Sequence, residues 1–208
     1  MRPKLLLLLV FATIVSSCNA GAEPSTGSDR PTSTTTTVVL PEVPPLVGLT
    51  TELVADGLDE PVTVVPVPPL DTLLVAERIG RIVEIASDGT QNTVLDVVDR
   101  VGWDINEQGF LAIAAHPDFP DDPRIVAIYT NIDRDVVVST FDWTGDTFDP
   151  NSETPILTVP QPHQYHQGGG IVFGPAGYLW MSFGDGGGNG DPYGNGQNPF
   201  TLNGTVVR

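Results

Sequence analysis

The chain has 208 residues, with 26 Asp and Glu against 9 Lys and Arg and a formal net charge of −17. A surface this acidic repels phosphate backbones, which excludes nucleic-acid binding as a function class. Beyond Cys18 there is no lysine, and the cations are Arg30, Arg78, Arg81, Arg100, Arg124, Arg134 and Arg208.

In chain order, Arg2 and Lys4 form a short positive region and Leu5 to Ile14 an uncharged apolar run. That run is well short of the ~20 apolar residues a spanning helix needs, and reads as a secretory signal. Small residues, Val15-Ser16-Ser17, precede Cys18, the only cysteine. Together they predict a signal peptide over 1–17 and lipid attachment at the Cys18 thiol. The expectation is an exported lipoprotein on the extracytoplasmic face of the cell membrane or outer envelope. Each buried CH₂ of an acyl chain contributes roughly 0.8 kcal/mol, so several chains make a durable anchor. Residues 18–45 are rich in Ser, Thr and Pro, with Thr34-Thr35-Thr36-Thr37 at their centre. Such a composition buries too little surface to offset ordering entropy and predicts a disordered tether. The folded part is then 46–208, without a disulfide.

Helical periodicity is nearly absent there, and short β-branched runs recur between Gly, Pro, Asn and Asp. Strands are predicted over Val62–Val67, Thr72–Glu77, Arg81–Ile85, Phe110–Ala115, Ile125–Thr130, Val136–Trp143, Ile156–Val159, Gly170–Phe173, Tyr178–Phe183 and Leu202–Val207. Turn chemistry separates several of them, as in Ser87-Asp88-Gly89, Thr144-Gly145-Asp146 and Pro175-Ala176-Gly177. Many short antiparallel strands mean an all-β sandwich, barrel or propeller. A loose repeat favours the propeller: Asp71–Glu77 and Gly177–Phe183 are each a turn, an apolar strand and then a glycine. Their spacing fits equivalent strands two blades of ~40–50 residues apart. Val206-Val207-Arg208 ends inside a strand-like run, and the material suffices for about three or four blades. The expectation is therefore an incomplete, C-terminally truncated piece of a longer protein.

The stretch with most chemistry runs from His163 to Gln197. Glycines at 168–170, 184 and 186–188 allow close backbone approach, and the two apolar strands between them should form a hairpin. That hairpin brings His166 and Asp185 to one edge, the way an oriented general base is built. A hydrogen-bonded loop histidine without a catalytic role is the alternative. The loop from Asp185 starts like an EF-hand, but Gly196 stands where the bidentate Glu belongs. A looser calcium loop using Asp185, Asn189, Asp191 and Asn195 stays open. No GxGxxG opens a helix. His163 and His166 lack a third zinc ligand, and no serine sits in a nucleophile elbow. A second constellation is Asn106-Glu107-Gln108-Gly109 before a buried-looking strand, where Glu107 and Gln108 can line a shared cavity. His116-Pro117-Asp118-Phe119 follows as a structural turn in which Phe119 packs.

At these residues the sequence resembles the soluble quinoprotein glucose dehydrogenases, also called glucose/sorbosone or aldose sugar dehydrogenases. The motifs are Leu74–Ile82 (LVAERIGRI), Glu107–Leu111 with HPDF, His166-Gln167-Gly168-Gly169 through FGPAGYLWMSFGDGG, Gly190–Asn198 and Leu202–Arg208. They occur in family order from about Leu53 to the last residue. The resemblance implies a six-bladed β-propeller carrying pyrroloquinoline quinone (PQQ) and calcium (Ca2+), a sugar substrate and an external electron acceptor. It implies that His166 removes the proton of the anomeric hydroxyl while C1 gives hydride to the quinone. Asp185 would orient the imidazole, and Glu107 or Gln108 would face the quinone or substrate. Two residues depart from the pattern. Gln167 stands where the family often has Asn, and Glu107 stands where glucose-oxidising members have a neutral amide. A carboxylate there would repel the acidic quinone, so glucose is not implied as the substrate. The family's quinone-pairing arginines and calcium-holding carbonyls come from later blades. The same pattern occurs in hedgehog-interacting-type propellers, so a non-enzymatic extracellular protein- or glycan-binding propeller is the alternative.

Overall fold

A computed structural model of the chain describes residues 48, 50–105 and 107–208. The expected signal peptide over 1–17, Cys18, the tether over 18–45 and Asn106 lie outside the described residues. Within them, β-branched and apolar runs form strands where turn residues bound them, giving three antiparallel meanders. The first sheet holds β1 (Pro61–Val67), β2 (Thr72–Glu77), β3 (Arg81–Ala86) and β4 (Gln91–Asp96), in that order. The second holds β5 (Phe110–Ala115), β6 (Arg124–Thr130), β7 (Val136–Asp142) and β8 (Thr154–Val159). The third holds β9 (Gly168–Phe173), β10 (Leu179–Phe183) and β11 (Val206–Val207).

The strand β6 shows how the sheets stack. Side chains alternate across a strand, and here both faces are apolar: Ile125, Ala127 and Tyr129 on one, Val126 and Ile128 on the other, all buried. The first set joins a core with Leu74, Ile82, Leu95 and Phe110, between the first and second sheets. The second set joins Val136, Val138, Met181 and Phe183, between the second and third. A sheet buried on both faces needs a neighbour on each side, and fully burying one such side chain contributes about 1.5–3 kcal/mol. The first strand of each sheet lies against that of the next, β1 on β5 and β5 on β9. This is the stacking of propeller blades around inner strands, with three blades among the described residues.

The predicted repeat falls where it was expected: Asp71–Glu77 contains β2 and Gly177–Phe183 contains β10, the second strands of the first and third sheets. The strands β8 and β9 start two residues before their predicted bounds, at Thr154 and Gly168, and three further differences have a visible cause. The strand β4 was not predicted, because Gln91, Asn92 and Thr93 are polar and exposed, and only Val94 and Leu95 are buried. The predicted strand over Leu202–Val207 shortens to Val206–Val207. Before it, the Thr205 hydroxyl donates to the Leu202 carbonyl, and Gly204 turns with a positive φ of 75°. Trp143 leaves β7 for an isolated bridge to Phe148, and its ring packs edge-on against Phe119 and Phe148. Phe119 of the HPDF turn is buried, as expected.

One polar cluster sits inside the first seam. The Tyr129 hydroxyl on β6 donates to the Glu153 carboxylate just before β8, and Arg100 Nη1, from the turn after β4, donates to its other oxygen at 2.8 Å. Arg100 also reaches the Pro150 carbonyl at 3.0 Å. These bonds satisfy groups that would otherwise be costly to bury.

Candidate functional site

The site forms where the inner strands begin. The antiparallel pairing of β9 with β10 ends at Gly168 opposite Phe183, and Gly184 N–H donates to the Gln167 carbonyl at 3.2 Å. The residue before β9 therefore faces the residue after β10. His166 Nδ1 meets Asp185 Oδ1 at 2.8 Å, as the predicted hairpin requires. A methyl group on Gly184 would overlap the His166 carbonyl oxygen, so this close approach needs glycine. His166 itself has a left-handed backbone, φ 62°, uncommon for a residue with a side chain.

An ionised carboxylate only accepts, so the proton of the bond lies on Nδ1 and Nε2 is left with its lone pair. Nε2 makes no hydrogen bond among the described residues, and the His166 side chain is 44% exposed. Asp185 Oδ1 also accepts from Gly187 N–H at 3.0 Å. The Gly187 N–H first, and His166 second, hold the Asp185 carboxyl below the usual carboxylate range. The pair thus presents an oriented imidazole.

A second carboxylate reaches His166 from the second sheet. Glu107 Oε2 accepts the His166 backbone N–H at 2.5 Å. Glu107 sits in the turn leading into β5, closed by Gln108 N–H on the Ile105 carbonyl at 2.8 Å. Arg78, just after β2, holds that turn from the first sheet. Its Nη1 donates to the carbonyls of Trp103 at 3.0 Å, Gln108 at 3.3 Å and Ile105 at 3.4 Å. Its Nε and Nη2 pair with Glu60 at 2.9 and 2.6 Å.

Between these groups lies a cavity of about 250 Å³, lined by Arg78, Glu107, Gln108, Leu111, His166 and Gln167 among others. It is smaller than the ~300–1,000 Å³ of whole-ligand sites and suits one end of a ligand. Gln108 and Gln167 are each 1% exposed. Gln167 Nε2 donates to the His163 carbonyl at 3.1 Å, which fixes that amide and leaves Oε1 without a partner. Gln108 Nε2 is likewise buried without a partner. Both glutamines belong to the cavity wall, with these two amide atoms enclosed in it. A larger hollow of about 680 Å³ beside Pro68 and Asp88 contains no histidine and none of this chemistry.

All four predicted residues, His166, Asp185, Glu107 and Gln108, therefore meet in one place. Arg78 and Gln167 join them and were not singled out as site residues. Arg78 lay within the LVAERIGRI motif without an assigned role, and Gln167 stood only as a departure from the family pattern. The residues of the candidate calcium loop bond to one another. Asp191 accepts Asn195 N–H at 2.8 Å and Gly196 N–H at 2.9 Å, one on each oxygen, and Asn195 Nδ2 donates to the Asp185 carbonyl at 2.8 Å. These groups close the turn on itself rather than converge on a cation, and among the described residues no three His, Cys, Asp or Glu side chains gather as a metal site. His116 lies apart, accepting Asp118 N–H at 3.3 Å and packing edge-on against Phe173.

Comparison with known proteins adds to this geometry. A family profile described as "Glucose / Sorbosone dehydrogenase" matches residues 58–208. A structure from Thermus thermophilus, described as an oxidoreductase (glucose dehydrogenase), superposes with a TM-score of 0.68 and 30% identity, covering 77% of this chain and 47% of that one. The PQQ-bound aldose sugar dehydrogenase of Streptomyces coelicolor superposes with a TM-score of 0.63 and 28% identity, covering 76% of this chain and 46% of that one. The hedgehog-interacting protein of Mus musculus is 27% identical over 151 residues, 64% of this chain and 22% of that protein. The chain thus spans about half the length of the two solved structures and under a quarter of the mouse protein.

Proposed function

The chain belongs to the glucose/sorbosone dehydrogenase family, and from that premise we propose that it serves the oxidation of an aldose at C1 to the lactone, with His166 as general base. The observation that carries this reading is the 2.8 Å bond from His166 Nδ1 to Asp185, which leaves Nε2 without a partner among the described residues in a residue that lines the cavity. Asp185 fixes the tautomer and stabilises the imidazolium formed when Nε2 takes the hydroxyl proton. PQQ, when bound, supplies the two-electron acceptor for the C1 hydride. Arg78, Gln108 and Gln167 in the cavity wall are polar groups that suit the polar edge of such a group or of the sugar. Glu107 bears a negative charge beside them, and its carboxylate is directed at the His166 backbone N–H. That charge argues against glucose in particular, so the proposed substrate class is the aldoses and no single sugar among them. Calcium was implied with PQQ by the resemblance, held by carbonyls of later blades; none of this chain's site residues is assigned to it, and no step passes through a metal.

The signal and Cys18 support a location on the extracytoplasmic face of a membrane, where an external electron acceptor would reoxidise the cofactor. A second reading, a protein- or glycan-binding propeller without redox activity, draws on the likeness to the hedgehog-interacting protein. One experiment separates them. The full-length gene product, loaded with PQQ and calcium, is assayed with a panel of aldoses and a dye acceptor. The first reading expects aldose-dependent dye reduction and lactone as product. No reduction with any aldose supports the binder instead.

A further inference from the structure

A hydrogen-bonded path crosses all three sheets at the end where the site lies. Glu60 grips Arg78 on the first sheet, and Arg78 Nη1 gathers the carbonyls of Trp103, Ile105 and Gln108. This turn, entering the second sheet, presents Glu107, and Glu107 takes the backbone N–H of His166 on the third. The contact joins residues 59 apart in sequence. It meets His166 at its backbone N–H, which neither the β9–β10 pairing nor Asp185 engages.

Each step of the path is sterically specified. Gly109, φ 131°, lets the turn lie on Arg78: a Cβ there would sit 2.5 Å from the Arg78 carbonyl oxygen. The Phe110 N–H donates to that same carbonyl at 2.7 Å, so the start of β5 is anchored to the end of β2. His166 carries a left-handed backbone, sparsely populated for a residue with a Cβ and held only where its surroundings over-determine it. Asp185 constrains the ring and leaves the backbone free to relax. A charge-assisted bond to the N–H is shorter and stronger than a neutral one, and constrains the backbone.

We propose that Glu107 is a positioning residue for His166: its carboxylate, carried on a turn that Arg78 of the adjacent sheet holds by its carbonyls, fixes the left-handed backbone that sets the imidazole against Asp185 at the cavity. This deepens the reading of His166 as a base and rests on it for its catalytic consequence, while the positioning itself is independent of any reaction. It assigns the acidic residue at 107 a role toward the base, where a neutral ligand-facing amide would act on sugar or cofactor. The effect on turnover belongs in kcat: a misplacement of about 1 Å costs on the order of 10²-fold.

The test has a spectroscopic arm and a kinetic arm. The chain contains three histidines, so labelling with ¹⁵N at histidine alone gives three amide cross-peaks. The proposal expects the His166 amide proton to be the most downfield, from its bond to a carboxylate. Glu107→Ala should move it upfield while the His116 and His163 peaks stay, and Glu107→Gln, which keeps an acceptor oxygen, should restore part of the shift. Arg78→Ala should move the His166 peak in the same direction. If Glu107→Ala moves all three peaks through loss of fold, Glu107→Gln and Arg78→Ala decide. A His166 peak unmoved in every variant overturns the proposal. In the PQQ-loaded full-length protein, Glu107→Ala should lower kcat about 10- to 100-fold with little change in KM; a rise in KM alone assigns Glu107 to substrate contact and overturns it. An inactive parent protein whose His166 peak still answers to Glu107 overturns the sugar-oxidation reading and leaves the positioning standing.

Discussion

Glu153 and Asp185 each anchor a cluster of side chains, and they differ in what is left over. Glu153 is largely enclosed between β6, β8 and the turn after β4. Burial pushes its carboxyl up, but the bonds from Tyr129 and Arg100 outweigh this and leave it below its ordinary value. The Tyr129 hydroxyl is pushed well above its ordinary value, by burial first and by Glu153 second. Both carboxylate oxygens are taken, one by Tyr129 and one by Arg100. Such a cluster holds the fold and has nothing to offer a ligand. Asp185 accepts from His166 and Gly187 on one oxygen, and the other ring nitrogen of His166 has no partner among the described residues. The first cluster spends its carboxylate within the fold, and the second leaves a nitrogen for a ligand.

That contrast can be broken most severely at Asp185. Asp185→Asn should lower kcat by about 10³- to 10⁴-fold, because an amide can donate to Nδ1 and stabilise the wrong tautomer. Its thermal midpoint should stay close to the parent's, as the pair is exposed. Next is Gly184→Ala, whose methyl must displace the His166 carbonyl. A fall in kcat of about 10²-fold is expected, with the near-ultraviolet signature of the Tyr129–Glu153 region preserved. The opposite pattern should hold for the closed cluster. Tyr129→Phe leaves a buried carboxylate oxygen unpaired and should destabilise by about 1–3 kcal/mol in denaturant titration, with kcat unchanged.

The smallest effect is that of pH. Asp185 and Glu153 both have carboxyls lowered by folding. Groups of this kind contribute stability that is present above the unfolded value of about 4 and is lost as pH falls through the lower folded value. The thermal midpoint should therefore be flat from about pH 8 to 5 and drop only below about pH 4. A drop between pH 7 and 5 would be evidence against this assignment.

Sequence alone carried the fold where strands are apolar on alternate or both faces, as in β2, β6 and β10. It missed β4, whose outer half is polar because it lies exposed. It extended the last strand into Leu202–Thr205, where apolar Leu202 masks a turn built on Gly204. At the site, His166 and Asp185 were legible because a hairpin places its two ends together whatever else surrounds it. The hydrogen bond of Glu107 to the His166 backbone was not legible. It joins two sheets across a long separation and depends on a left-handed φ that histidine rarely adopts. Arg78 acts on backbone carbonyls, which leave no trace in side-chain patterns.

The most direct test of His166 as the base is the rate of aldose-dependent dye reduction by the PQQ-loaded full-length protein and its His166→Ala variant. Turnover is expected in the parent, with a loss of at least about 10²- to 10⁴-fold in the variant, the usual contribution of a general base. Equal rates in the two proteins would contradict that role.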